Sequence, residues 1–160
     1  PWESSCRAHR EGRETEFPKK AAKKARSIEK KTILVIQDAM RAAIRKRPAK
    51  GMLAGMYEFP SEEGHLSQDE VVALLKEKGL HSLRIRRLPD SRHIFTHKEW
   101  DMIGYAVRVD ELEPVGGTQE GLLFIEPSLT EKEYPIPSAY AAYTGYLRIR
   151  LGNDKFDEKK

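Results

Sequence analysis

The chain has 160 residues, which gives room for one domain with a hydrophobic core and for a further linker or tail. None of its apolar runs approaches the roughly 20 residues of a membrane span, and no signal-peptide pattern opens the sequence, so we expect a soluble protein. The single cysteine, Cys6, excludes an internal disulfide bond and agrees with a reducing compartment.

The positive charge lies at the N-terminus. Residues 1–31 contain ten Lys or Arg and five Glu, whereas the other 129 residues contain 19 basic and 20 acidic side chains. A basic arm beside a near-neutral domain suggests an anionic partner such as phosphate, although a merely solvated linker would have the same composition. The sequence starts at Pro1 rather than at Met, which favours a fragment of a longer protein.

The first predicted elements form a hairpin. Residues 1–31 lack sustained apolar periodicity and are predicted to be an extended linker. Residues 32–36, Thr-Ile-Leu-Val-Ile, have the length and β-branched character of a strand. Residues 38–40 suit a turn, residues 41–46 suit a second strand, and Pro48 ends it.

A helix is predicted over residues 67–78. Ser67 and Glu70 have the spacing of a capping box, in which each side chain satisfies the backbone amide of the other residue. Residues 71–75, Val-Val-Ala-Leu-Leu, supply a broad apolar face, and Gly79 suits the left-handed turn that closes a helix. This segment therefore has a start signal, a core-facing stripe and a stop signal.

Three further strands are predicted at residues 82–88, 100–109 and 122–125. In the first of them Leu83, Ile85 and the aliphatic stem of Arg87 are expected on one face, with Arg84 and Arg86 on the other.

A second helix is predicted after Pro137, because alanine, tyrosine and leucine recur there at intervals of three and four. This spacing favours core packing of the tyrosines over base stacking. Residues 32–152 are assigned to one α+β domain, a mixed β-sheet flanked by helices, and residues 153–160 to a disordered tail.

Three segments of the domain resemble the C-terminal part of MutY, the family of adenine DNA glycosylases that act on adenine mispaired with 8-oxoguanine. Residues 47–60 contain Arg-Pro and then Gly-Met-Leu-Ala-Gly-Met-Tyr-Glu-Phe-Pro, similar to the family's Arg-Pro and Gly-Leu-Leu-x-Gly-Leu-Trp-Glu-Phe-Pro, with Tyr57 replacing Trp. Residues 93–97, His-Ile-Phe-Thr-His, resemble its Phe-Ser/Thr-His lesion-reading loop. Residues 134–140, Tyr-Pro-Ile-Pro-Ser-Ala-Tyr, resemble the start of its closing helix.

Residues 1–12 resemble the end of the iron-sulfur motif of the same family, in which four cysteine thiolates hold a [4Fe-4S] cluster. The earlier cysteines would precede Pro1, so the resemblance makes Cys6 an orphaned fourth ligand. The cluster is expected in the parent protein, and no cofactor is expected in this chain.

The resemblance implies a Nudix-like fold preceded by the basic extended linker. Nudix hydrolysis of diphosphates needs a helix with the pattern Arg-Glu-x-x-Glu-Glu-x-Gly, whose carboxylates bind Mg²⁺. Counted back from Gly79, residues 72–78 read Val-Ala-Leu-Leu-Lys-Glu-Lys, which leaves Glu77 and places Lys76 at a ligand position. We therefore expect this hydrolysis to be lost. A stand-alone Nudix hydrolase of oxidised nucleotides is the alternative.

The family's catalytic Glu and Asp belong to an N-terminal helical domain that this sequence lacks, so no catalytic residue is expected here. Lesion reading is assigned by resemblance to Phe95, Thr96 and His97, although an ordinary strand end is the alternative. A threonine hydroxyl with its neighbouring backbone groups can donate to O8 of 8-oxoguanine and accept from its N7-H, and the role is assigned to Thr96, although the neighbouring backbone could make the main contact. Phe95 is expected to wedge or buttress the loop, and His97 to contact backbone or phosphate.

Most of the affinity for DNA is expected to come from phosphate contacts, including those of the linker lysines, and from the catalytic domain that this sequence lacks. The candidates are Arg45, Arg47, Lys50, Arg86 and Arg92, each of which could instead be a solvated surface charge. The expected partners are double-stranded DNA with 8-oxoguanine opposite adenine and the N-terminal catalytic domain of the same protein. We expect a monomer without membrane contact, in the cytoplasm of a bacterium and acting in DNA repair at the nucleoid.

Overall fold

The structure is a computed structural model that describes Gly12 and residues 25–110 and 121–148. Cys6, most of the predicted linker and the predicted tail lie outside the described residues. Within these ranges the strands are β1 Ser27–Gln37, β2 Ala42–Lys46, β3 Tyr57–Glu58, β4 Ser61–Glu63, β5 Ser82–Ile94, β6 Lys98–Val109 and β7 Leu123–Ile125. The helices are α1 Gln68–Glu77 and α2 Ala141–Thr144, with 3-10 helices at Pro127–Glu131, Ser138–Tyr140 and Gly145–Arg148. None of these helices has the length and hydropathy needed to cross a membrane.

The long strands β1 and β6 form the centre of a mixed sheet. They run parallel over eleven residue pairs, from Ser27 opposite Lys98 to Gln37 opposite Arg108. The strand order is β3-β2-β1-β6-β5, with β4 pairing to β1 and β7 to β2, and all of these other pairs are antiparallel. The predicted α+β class, with a mixed sheet flanked by helices, is confirmed.

Two hydrophobic clusters cover the two faces of this sheet. On one face, α1 packs Val71 and Leu75 into a cluster of aliphatic strand residues. On the other face, the C-terminal segment places Tyr140 and Tyr143 in a cluster with Trp100. Successive side chains of a strand point to opposite faces, which is why β1 and β6 contribute to both clusters. Core packing of these two tyrosines is confirmed.

The local signals for α1 are confirmed. The hydroxyl of Ser67 accepts a hydrogen bond from the amide of Glu70 at 3.3 Å, and Oε2 of Glu70 accepts one from the amide of Ser67 at 2.7 Å. Gly79 has a φ of 70°, as a left-handed helix end requires. The β1–β2 hairpin is also present, and Oδ1 of Asp38 accepts hydrogen bonds from two amides of its turn.

Two strands extend beyond their predicted ends. β1 begins five residues before Thr32, at Ser27, because its polar first residues are held by pairing with β6 and carry no local strand pattern. β5 continues past Leu88 to Ile94, since a register shift at this point accommodates Pro89 on an edge strand. Both extensions depend on tertiary pairing.

Two further expectations need correction. Leu83 is 63% exposed whereas Ile85 is half-buried, so the two do not share one face, because the register shifts between Ser82 and Arg84. The predicted second helix is divided into α2 and two 3-10 helices. Thr144 and Gly145 have low helix propensity and lie where the α-helical segment ends.

Gly104 of β6 lies beneath the ring of Tyr143. An added Cβ would be 3.0 Å from Cδ1 of that ring and closer still to Cε1. The ring cannot retreat freely because its hydroxyl donates to the carbonyl oxygen of Met102 at 3.3 Å. We expect Gly104→Ala to lower the free energy of unfolding by about 1–3 kcal/mol in a urea titration, the usual range for an overpacked core.

Gly145→Ala is the matched control, because a Cβ at this position meets open space. Alanine also has the higher helix propensity, so this variant should be as stable as the wild type or slightly more stable. Equal losses in the two variants would contradict the steric explanation.

Candidate functional site

Residues 95–97 form the turn between β5 and β6 at one end of the sheet. The amide of Phe95 donates to the carbonyl oxygen of Lys98 at 2.8 Å and closes the turn. Thr96 and His97 are exposed, whereas Phe95 is half-buried. The structure therefore brings the three predicted lesion-reading residues together in one hairpin tip, and β6 begins directly after it, two residues before the predicted start at Trp100.

Aromatic rings connect the hairpin tip to the core. The Phe95 ring meets His93 edge to face at a centroid distance of 4.6 Å and Trp100 at 4.9 Å. Trp100 continues the row to Tyr140 at 5.7 Å. Edge-to-face pairs of this kind are favourable beyond the area that they bury. The expected roles of Phe95 are to wedge or to buttress the loop, and its packing against Trp100 has the geometry of a buttress.

Trp100 is a fixed support for the tip. Its side chain is 1% exposed, and its Nε1 donates to Oε2 of Glu29 at 3.0 Å. The Nζ of Lys31 lies 4.7 Å from the ring centroid, and the guanidinium carbon of Arg47 lies 5.5 Å from it. Both distances are within the range of cation-π attraction.

Glu58 is a buried carboxylate that is linked to Trp100 through Tyr140, and 2% of its surface is exposed. Its Oε1 accepts a hydrogen bond from Nε of Arg45 at 2.8 Å, and its Oε2 accepts from Arg47 and from the hydroxyl of Tyr140. Burial by itself raises the pKa of Glu58, but the hydrogen bonds from Tyr140 and Arg45 outweigh it and hold this pKa below its ordinary value of 4.5. Glu58 is therefore ionised at neutral pH.

Two of the predicted phosphate contacts, Arg45 and Arg47, have their charge already opposed by Glu58. Arg45 also donates to the carbonyl and hydroxyl oxygens of Ser61, at 2.9 and 3.1 Å. Arg47 also donates to the carbonyl oxygen of Met52 at 3.0 Å. These contacts give both arginines a role in the fold, and phosphate binding by them stays a prediction.

The other three candidates, Lys50, Arg86 and Arg92, lie apart. Lys50 is exposed in the turn that follows β2. Arg92 is 70% exposed and lies 3.6 Å from the carboxylates of Glu99 and Asp101. Arg86 lies eight residues before Ile94, the last residue of β5. At about 3.3 Å per strand residue, this places it about 26 Å from the hairpin tip. Phosphate binding by these residues also stays a prediction.

In the Nudix hydrolase pattern, the helix that carries the metal ligands ends at a glycine. In this chain Gly79 follows α1, so α1 is the corresponding helix. Among residues 72–78, Glu77 is the sole carboxylate, and it is exposed next to Lys76. Within the described ranges, no three His, Cys, Asp or Glu side chains are grouped so that they could hold a metal ion. Mg²⁺ takes several oxygen ligands, and these side chains of α1 do not supply them.

Comparison with known families gives the class of the domain. The NUDIX domain family matches residues 32–144, which are 113 of the 160 residues. The chain belongs to the NUDIX domain family. The match begins inside β1 and ends with α2, so it includes the hairpin tip, the Glu58 cluster and α1.

Several solved structures share this fold. The C-terminal domain of mouse MUTYH, solved in complex with human PCNA, is 22% identical with a TM-score of 0.56, covering 82% of this chain and 99% of that one. MutT from Methanosarcina mazei Go1 is 12% identical with a TM-score of 0.54, covering 78% and 95%. The E. coli ORF135 protein is 16% identical with a TM-score of 0.52, covering 80% and 96%. Such identities establish the NUDIX fold without separating a MutY-type domain from a MutT-type hydrolase.

Two carboxylates that make hydrogen bonds beneath and beside the tip, Glu58 and Glu29, were missed at the level of sequence. Glu58 had a signal, since it lies between Tyr57 and Phe59 in an apolar segment that follows two arginines, a pattern that suggests a buried ion pair. Glu29 had none, because its partners Lys98 and Trp100 are 69 and 71 residues away.

Glu58→Gln is expected to lower the free energy of unfolding at neutral pH by up to about 3–5 kcal/mol, because it removes the counter-charge of a partly buried arginine pair. The pKa of Glu58 is lower in the folded than in the unfolded chain, so its stabilising effect is complete above pH 4.5 and is lost as the pH falls below that value. Urea titrations at neutral pH and in acid should show the difference between wild type and variant shrinking in acid. A constant difference, or the same loss in Glu77→Gln, would contradict this explanation.

Proposed function

We propose that this NUDIX domain is the lesion-recognition module of an adenine DNA glycosylase and that its hairpin tip reads 8-oxoguanine opposite the mispaired adenine. Cleavage of the N-glycosidic bond is assigned to an N-terminal domain of the same protein. The observation that carries the proposal is the exposed Thr96 at a tip that Phe95 anchors to a buried tryptophan. The same residues have the sequence that resembles the lesion-reading loop of MutY.

The chemistry of Thr96 suits this lesion. Oxidation of guanine at C8 adds a carbonyl oxygen and converts N7 from an acceptor into a donor. A hydroxyl group offers one donor and two lone pairs, so it can pair with either changed position. The hydroxyl of Thr96 therefore distinguishes the two bases by hydrogen bonding without any covalent step.

Affinity for DNA is assigned chiefly to phosphate contacts. The candidates are the basic residues of the N-terminal arm, the exposed Lys50, and Arg92, which is 70% exposed although it lies 3.6 Å from the carboxylates of Glu99 and Asp101. Phosphate contacts release counterions, so binding by this chain should fall steeply as salt rises. It should also be weak, because the N-terminal catalytic domain that would add further contacts to DNA is not in this sequence.

The iron-sulfur cluster is assigned, by resemblance, to the parent protein. Cys6 would supply one of its four thiolates, and one thiolate cannot hold a cluster. No step of base recognition in this domain involves the cluster.

The second candidate function is hydrolysis of an oxidised nucleoside triphosphate, which the NUDIX fold alone would favour. The side chains of α1 argue against it, because Lys76 and Ala73 stand where two of the metal-binding carboxylates belong. Incubation with 8-oxo-dGTP and Mg²⁺ should give no turnover above the uncatalysed rate. Steady turnover by this chain would favour the hydrolase.

Thr96→Ala is expected to reduce the preference of the chain for an 8-oxoguanine:adenine duplex over a guanine:adenine duplex by about three- to tenfold. This range corresponds to one lost hydrogen bond worth about 0.5–1.5 kcal/mol. Fluorescence anisotropy at low salt measures the two dissociation constants. Thr96→Ser keeps the hydroxyl and should keep the preference, and Thr144→Ala serves as a control for the loss of a threonine elsewhere. An unchanged preference in Thr96→Ala would remove this residue from the role.

Lys50→Gln is expected to weaken binding to both duplexes alike and to reduce the slope of log affinity against log salt by about one, the amount expected for one phosphate contact. Lys76→Gln, which removes an exposed charge from α1, should leave the slope unchanged. Titrations at several salt concentrations measure both slopes. An effect of Lys50→Gln on the preference for the lesion, rather than on the slope, would contradict a phosphate contact.

A further inference from the structure

The first five residues of β1 lie beside the hairpin tip. Residues 27–31, here termed the entry segment, pair in parallel with residues 98–102 at the start of β6. The amide of Ser27 donates to the carbonyl oxygen of His97, inside the tip, at 3.3 Å. Within the part of the chain that the structure describes, β4 joins β1 only from Lys31 onward, so β6 is the strand that pairs with residues 27–30 of the entry segment.

Glu29 is the side chain that joins the entry segment to β6. Its Oε1 accepts a hydrogen bond from Nζ of Lys98, and its Oε2 accepts one from Nε1 of Trp100 at 3.0 Å. Glu29 stands directly opposite Trp100 in the parallel ladder. The hydrogen bond from Lys98 is the main cause that holds the pKa of Glu29 below its ordinary value of 4.5, so the carboxylate is ionised at neutral pH.

The two partners of Glu29 are the two residues on which the tip rests. The carbonyl oxygen of Lys98 accepts the amide hydrogen bond that closes the turn. The ring of Trp100 supports the ring of Phe95 at 4.9 Å. A displacement of either partner would therefore move Thr96, and hydrogen bonds weaken steeply when their geometry is lost.

We propose that Glu29 is a positioning residue for base recognition, which fixes the hairpin tip through Lys98 and Trp100. This role rests on the proposed function of the tip. Under this proposal the entry segment, which follows the basic arm in the chain, contributes to the specificity of base recognition rather than to phosphate binding. Lys31, whose ammonium group lies over the ring of Trp100, belongs to the same arrangement.

The test compares Glu29→Gln with Glu77→Gln. Both variants lose one negative charge, and Glu77 is exposed on α1, which covers the face of the sheet opposite to Trp100. Two quantities are measured: hydrogen exchange of the amides at residues 95–98, and the ratio of dissociation constants for guanine:adenine and 8-oxoguanine:adenine duplexes. Glu29→Gln should speed exchange at the tip and lower the ratio, each by about three- to tenfold, whereas Glu77→Gln should leave both unchanged.

The ratio separates positioning from a general loss of stability. Partial unfolding scales the binding of both duplexes by the same factor, so it leaves their ratio unchanged. Lys98→Met, which removes the other end of the interaction, should lower the ratio to the same extent, and the double variant should lower it little further.

The possible results are distinct. A wild-type ratio of one overturns the proposed function, and the positioning role with it. A wild-type ratio above one that Glu29→Gln leaves unchanged overturns the positioning role alone, even if exchange at the tip becomes faster. Unchanged exchange at the tip in Glu29→Gln also overturns it.

Discussion

The buried carboxylate of Glu58 is the interaction on which the rest of the site depends. It joins β3 to β2 through Arg45, to the following glycine-rich turn through Arg47, and to the C-terminal segment through Tyr140. An ion removed from water costs several kcal/mol unless partners surround it. These four elements must therefore assemble together, and the support for Trp100 is complete only when they do.

The hairpin tip shows how a short turn obtains a fixed position from a rigid sheet. Phe95 packs on Trp100, Trp100 packs on Tyr140, and Tyr140 donates to Glu58. Glu29 holds Trp100 from the neighbouring strand. Residues that bind ligands are often carried on loops in this way, because the scaffold restricts the loop and leaves its polar groups exposed. Thr96, next to Phe95 in the chain, is exposed at the end of this row.

The NUDIX fold and NUDIX hydrolysis depend on different residues of the same helix. Val71 and Leu75 of α1 cover one face of the sheet, and this packing requires only that they remain apolar. The metal-binding carboxylates of the pattern project elsewhere and contribute nothing to the core, so their replacement leaves the fold intact. A fold therefore does not determine an activity, and function has to be inferred from the site that it presents.

The sequence by itself determined the elements with local signals: the capped helix α1, the turn at Asp38 and the polar turn at residues 95–97. Their caps, turn residues and periodicity lie within a few residues of one another, so they can be read without knowledge of the fold. Only the tertiary structure decided that β1 starts at Ser27, that Arg45 and Arg47 face a buried carboxylate, and that Glu29 accepts a hydrogen bond from Trp100. Each of these depends on contacts between residues that are separated in the chain, by 71 positions for Glu29 and Trp100. Such contacts leave no pattern in the local sequence, so a polar segment gives no sign of them.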